Sequence, residues 1–144
     1  MAPGSATAGR LDCAGLPIDH VKLPVADLDA SRRFYAAAVA PLGWKLVYDG
    51  PESLGFGTGD GGEDDEPLAL QLGDGPHART HVAFTASRRE QVDAFHAAAL
   101  EAGGRDNGAP GDRPYGGVYY AAFVLDPDGH NIEAVFHGEG DRRA

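Results

Sequence analysis

Two histidines and one glutamate, His20, His81 and Glu133, have types and spacing that point to chemistry. Each lies in a stretch where apolar and polar residues alternate. Val21, Leu23 and Val25 follow His20, while Val82 and Phe84 follow His81. In a strand, alternate residues share a face, so both histidines point away from the apolar set. Glu133 stands in the same relation to Ile132, Ala134 and Phe136, and Gln71 to Leu70 and Leu72. If the apolar faces pack on helices, the four polar side chains line the concave side of the sheets. A carboxylate in a partly apolar cavity is costly unless it is paired or bound to a cation. Two imidazoles and a carboxylate, with an amide oxygen at the edge, form an incomplete shell for Zn, Ni, Co, Mn or Fe. The open positions would take water or substrate. Any one of these residues alone reads as a hydrogen-bonded strand residue; three on equivalent faces read as a metal site.

The elements that must position them come in two copies. Sliding the sequence by 61 residues puts His20-Val21 on His81-Val82, Phe34 on Phe95, Ala36-Ala37-Ala38 on Ala97-Ala98-Ala99, and Gly43 on Gly104. In the first copy a strand is expected over Ile18 to Val25, then a helix capped by Asp27 and running to about Ala40. Three strands follow: Trp44 to Tyr48, Leu54 to Thr58, and Leu68 to Leu72. In the second copy a strand starts at Thr80. Ser87-Arg88-Arg89-Glu90 reads as a capping box, and the next helix buries Val92, Phe95 and Ala99 before ending at Gly103-Gly104. A loop from Asn107 to Gly117 leads to a hairpin, Val118 to Leu125 and Asn131 to Phe136, turning at Asp126-Pro127-Asp128-Gly129. The expected organisation is a flexible tail over 1–16, one domain over 17–137 made of modules 17–75 and 78–137, and a second tail over 138–144. The run Gly59 to Glu66, GDGGEDDE, reads as a solvated acidic loop.

Composition sets the outer limits. Of 144 residues, 42% are hydrophobic and 24% charged, the balance of a soluble globular protein. No apolar stretch is long enough to span a bilayer, and no signal peptide is visible, so a cytoplasmic location is expected. A net charge of −10 argues against nucleic acid or an anionic membrane as partner. The single cysteine, Cys13, lies in the N-terminal tail and excludes a disulfide framework.

Three segments resemble the vicinal oxygen chelate superfamily, which includes glyoxalase I, extradiol dioxygenases, fosfomycin-resistance thiol transferases and bleomycin-resistance proteins. They are IDHVKLPVADLDASRRFYAAAVAPLGWKLV, THVAFTASRREQVDAFHAAALEAGG and YYAAFVLDPDGHNIEAVFH, and the DPDGxxIE hairpin of the last is the most specific. The resemblance implies an α+β fold of two tandem βαβββ modules, with cupped, barrel-like mixed sheets and helices outside. It matches His20, His81 and Glu133 to metal ligands. It places Gln71 where some members carry a fourth, carboxylate ligand, the amide here favouring a shell of three protein ligands, and it implies a homodimer with a site that two chains can share. The loop Arg113-Pro114-Tyr115-Gly116-Gly117 departs from relatives that carry a histidine there.

The chemistry implied is chelation of two vicinal oxygens of a small substrate by a divalent metal, with stabilisation of an enolate or oxyanion. In a glyoxalase-like lyase or isomerase, either Glu133 serves as ligand and base or Gln71 leaves room for a water acting as base, and Arg113, Arg79 and Lys22 are candidates for binding substrate carboxylates. In an extradiol-type dioxygenase, two histidines and a carboxylate hold Fe(II), and an acid/base is needed. Tyr120 is the candidate, on the expectation that a two-residue turn sets it opposite Val135 on the Glu133 face while Tyr119 packs away. In a bleomycin-type sequestering protein, the acidic charge and Trp44, Tyr48, Tyr115 and Tyr119 would hold a cationic drug. Substrate identity is expected to rest on loops 49–67 and 107–117. His77, His96, His130 and His137 are given no role.

Overall fold

The computed structural model describes residues 18–62 and 65–138. The tail over 1–16 with Cys13, most of the tail over 138–144, and Glu63 and Asp64 of the acidic loop lie outside the described residues. Strand β1 (Val21–Val25), helix α1 (Leu28–Val39), β2 (Lys45–Asp49), β3 (Ser53–Gly57) and β4 (Leu68–Leu72) form the first module. Strand β5 (His81–Thr85), helix α2 (Arg89–Glu101), β6 (Arg105–Asp112), β7 (Tyr120–Leu125) and β8 (Asn131–Phe136) form the second.

Each module is one four-stranded sheet, ordered β1-β4-β3-β2 and β5-β8-β7-β6. The first and last strands of each run parallel, and the remaining pairs are antiparallel. A parallel pair needs a long crossover, and α1 or α2 lies within it. The expected α+β arrangement of tandem βαβββ modules is therefore present, as two mixed sheets that do not close into one barrel. None of the described helices is long and apolar enough to cross a membrane.

Helix α1 begins at Asp27, whose extended backbone lets its side chain accept from the Ala30 amide at 3.1 Å. It buries Phe34, Tyr35, Ala38 and Val39. Helix α2 buries Val92, Phe95 and Ala99, as the periodicity indicates. The capping box does not form: the N-cap is Arg88, without a side-chain cap, and Gln91 Oε1 instead accepts from the Ser87 amide at 2.6 Å. The loop expected from Asn107 is largely β6, whose register against β7 slips between Asp106 and Gly108 and again before Gly111.

The alternating strand residues meet the helices in a single core shared by both modules, from Leu23 and Val25 through Phe34 to Phe84, Ile132 and Ala134. Gly104 marks a close approach between the modules. A Cβ there would come within 2.5 Å of Val124 and 2.6 Å of Phe34, so no larger residue fits without displacing the module contact.

The β7–β8 turn locks the modules together. Leu125 pairs with Asn131, leaving five residues in the turn rather than two. Asp126 accepts from the amides of Asp128 and His130 at 2.9 and 2.8 Å, and from the Tyr35 hydroxyl of α1 at 2.5 Å. Asp128 accepts from the Ala26 amide at 2.9 Å. His130 is fully buried. Its Nδ1 accepts from the Thr80 amide at 3.0 Å, so Nε2 carries the proton and donates to the Pro24 carbonyl at 2.8 Å. Arg79 lies against Gly129 of this turn.

Candidate metal centre

In the second module the polar face of the sheet collects a cluster. His81 stands at the start of edge strand β5 and Glu133 on the neighbouring β8. The Glu133 side chain is 2% exposed and that of His81 49%, and His81 Nε2 lies 3.0 Å from Glu133 Oε1. His81 Nδ1 is 2.9 Å from the Asn131 carbonyl, which can only accept, so Nδ1 carries a proton. Nε2 then either carries a proton and pairs with the carboxylate, or presents a lone pair toward Oε1, which calls for a proton on that oxygen or a metal cation held by both. An imidazole oriented through Nδ1 on a carbonyl is the usual support of a metal-binding Nε2. The donor set suits a divalent ion.

Tyr119 donates to Glu133 Oε2 at 2.5 Å. Its ring meets Tyr115 and His137 edge-on at 4.9 and 5.0 Å. Phe123 sits directly across from Glu133 on β7, and its ring stacks beside His81 at 6.1 Å. Arg113 covers Phe123 at 5.4 Å and is held by the Ala109 carbonyl at 2.7 Å. His81, Glu133, Arg113 and Tyr115 therefore share one surface, which also holds Tyr119 and Phe123.

Tyr120 does not belong to it. The register pairs Tyr120 with Phe136, on the helix face, and its hydroxyl donates to Asp93 of α2 at 2.6 Å. That bond, with some burial, raises the phenol pKa above its ordinary value. The five-residue turn shifts the hairpin by one position, which exchanges the faces of Tyr119 and Tyr120.

His20 lies with the first module. Its Nδ1 donates to Asp19 at 2.6 Å, so Nδ1 is occupied by an oxygen acceptor as it is in His81. With Lys22, Asp65, Glu66 and Ala69 it lines a cleft of about 290 Å³. Among the described residues, no three His, Cys, Asp or Glu side chains of one chain converge on an ion position. The expected trio is thus divided within the chain: His81 and Glu133 are together, and His20 is on the other sheet.

Gln71 is also displaced from the role considered for it. Lys22 pairs with Ala69 in the first module as Ala83 pairs with Glu133 in the second, so Ala69 holds the position equivalent to Glu133. Gln71 lies two residues further along, opposite Pro24, and donates to the Glu52 carbonyl at 3.2 Å.

Comparison with known proteins agrees with this architecture. The family model described as Glyoxalase/Bleomycin resistance protein/Dioxygenase superfamily matches residues 17–134. A glyoxalase/bleomycin resistance protein from Albidiferax ferrireducens is 30% identical, with a TM-score of 0.71 over 82% of this chain and 97% of that one. A glyoxalase-related enzyme from Fulvimarina pelagi is 25% identical, with a TM-score of 0.65 over 84% and 88%. The fosfomycin resistance protein FosX from Mesorhizobium loti shares the fold at 20% identity, with a TM-score of 0.59 over 83% and 90%. No curated protein sequence matches. The tandem modules, the family match over most of the chain and the 30% identical structure together make this protein a member of the glyoxalase/bleomycin resistance/dioxygenase superfamily.

Proposed function

We propose that the protein is a homodimeric, divalent-metal-dependent enzyme of the lyase or isomerase type, acting on a small molecule with adjacent oxygens. Each site takes His81 and Glu133 from one chain and His20 from the other. The observation that carries this reading is the shared presentation of the two imidazoles. Each is oriented through Nδ1 on an oxygen acceptor, and His81 Nε2 faces a buried carboxylate.

A bound divalent ion would supply Lewis-acid stabilisation of negative charge on substrate oxygen. The chain's own groups do the rest. Glu133 is placed to move a proton between adjacent substrate carbons. Tyr119, donating to Oε2, fixes the carboxylate and leaves Oε1 as the working oxygen. Phe123 and Tyr115 offer ring surfaces to the substrate, and Arg113 offers a cation at the edge for an anionic group. Lys22, on the His20 side, is a second candidate for that contact.

Tyr119 favours a second reading, an extradiol-type dioxygenase. Two histidines and a carboxylate with open positions suit Fe(II), and a phenol beside them is a ready acid/base. Sequestration of a cationic drug is the third reading, supported by the acidic charge and by exposed Tyr115 at the cluster's rim.

Elemental analysis of untagged protein against His81→Ala tests the common premise. Stoichiometric metal in the wild type and its loss in the variant are expected; no metal in either, with tight binding of a bleomycin-like drug, overturns both enzyme readings. Turnover of a thiol hemithioacetal of methylglyoxal supports the first reading, and oxygen uptake with catechols supports the second.

A further inference from the structure

The two modules are not equally equipped. At the positions equivalent to Glu133 and its cross-strand neighbour Phe123, the first module has Ala69 and Gly55, which also face each other. Both large side chains are missing, yet the space is filled. A Cβ on Gly55 would lie 1.7 Å from Glu66 Oε2 and 2.8 Å from Glu66 Cβ, so the Glu66 side chain lies directly over this glycine. Glu66 ends the acidic run and enters from outside the sheet, just before β4. Its Oε2 is shut off from solvent and has no hydrogen-bond partner among the described residues. An unpaired carboxylate oxygen out of water is costly, and a nearby cation removes that cost. Glu66 and Ala69 line the same cleft as His20.

We propose that Glu66 is the first module's counterpart of Glu133: it reaches across Gly55 and Ala69 and supplies a fourth protein ligand, beside His20, to the shared metal. This rests on the proposed metal-dependent reading and adds a carboxylate delivered by a loop instead of a strand. The site is then balanced, with one imidazole and one carboxylate from each chain. It also explains the pair of small residues, since a side chain at Gly55 would expel Glu66.

The test is titration of the metal-stripped full-length protein with Co²⁺, reading affinity and the visible absorption of the bound ion. Five proteins are compared: wild type, Glu66→Gln, Glu133→Gln, Asp60→Asn and the double variant Glu66→Ala/Ala69→Glu. Glu66→Gln is expected to weaken Co²⁺ by at least about 10-fold and to change the absorption spectrum, as loss of a metal-supporting group does. Asp60→Asn, in the same acidic run but outside the cleft, should match the wild type. The double variant puts a carboxylate at the strand position that Glu133 occupies in the other module, and should recover most of the affinity. Metal-free Glu66→Gln should melt no lower than the wild type, which separates a ligand from a structural prop. Wild-type affinity and spectrum in Glu66→Gln, or a loss that the double variant does not repair, overturns the proposal. In either case loss of Co²⁺ in Glu133→Gln leaves the metal reading standing. A wild type that binds no Co²⁺ ends both.

Discussion

The two adjacent tyrosines give the sharpest residue-scale expectation. Tyr119 donates to Glu133, and Tyr120 donates to Asp93 on α2. Tyr119→Phe should weaken metal binding about 10- to 100-fold, the range for groups that orient a ligand, while Tyr120→Phe should leave it within error in the same titration. A reversed result would place the wrong face toward the site. The shared face of His81 and Glu133 was legible in the sequence because both alternate with core residues, and a period of two fixes the face without further knowledge. The Tyr119/Tyr120 choice was not, because it depends on a turn length. A single residue in the turn reverses every face of β7 relative to β8. Glu66 was read as part of a solvated loop because composition describes the run and not where one side chain goes.

At the scale of elements, the β7–β8 turn and the helices carry the stability. Asp126 is held mostly out of water, and this burial raises its pKa above the ordinary aspartate value even against the donors from Tyr35 and two amides. The folded state therefore binds that proton more tightly than the unfolded chain. The sign follows: this group's contribution is most favourable below the unfolded value of about 4 and declines as pH rises through the folded one. Wild-type stability relative to Asp126→Asn should accordingly fall between pH 3 and the neutral range, measured by urea unfolding of both proteins at each pH. A gap that widens with pH in favour of the wild type would contradict it. Exposed Asp106, lowered by its bond to His96 and by the Gly108 amide, works in the opposite direction and is common to both proteins. The hairpin motif so specific in sequence thus serves here as the clasp between modules. Phe34 serves the same join from α1, next to Gly104 and edge-on to Tyr35 at 4.9 Å. Phe34→Ala should cost about 3–5 kcal/mol in denaturant unfolding; a loss below about 1 kcal/mol would mean that the modules do not share one core. The helices and seven strands could be read from periodicity and turn residues, but β6 could not. RDNGAPGD has almost no residue that favours strands, and only pairing with β7 makes it one.

For the molecule as a whole, each sheet's polar face presents part of the proposed metal site. His20 and Glu66 belong to the first module, His81 and Glu133 to the second, and among the described residues no three such ligands of one chain come together. Twofold pairing that sets one chain's first module against the other's second would join the two parts twice, because an isologous contact repeats itself across the axis. The sequence contains the residues but not their partition, because the duplication is equally consistent with closure inside one chain. Subunit complementation decides the matter. His20→Ala and His81→Ala proteins, purified without metal, are unfolded, mixed in equal amounts and refolded together, and bound Co²⁺ is measured per chain. Each variant alone should bind none, while the mixture should regain about a quarter of the wild-type sites, because half the dimers are mixed and each mixed dimer rebuilds one intact site. A mixture as empty as its components, or full binding by His20→Ala alone, would contradict a metal shared between chains.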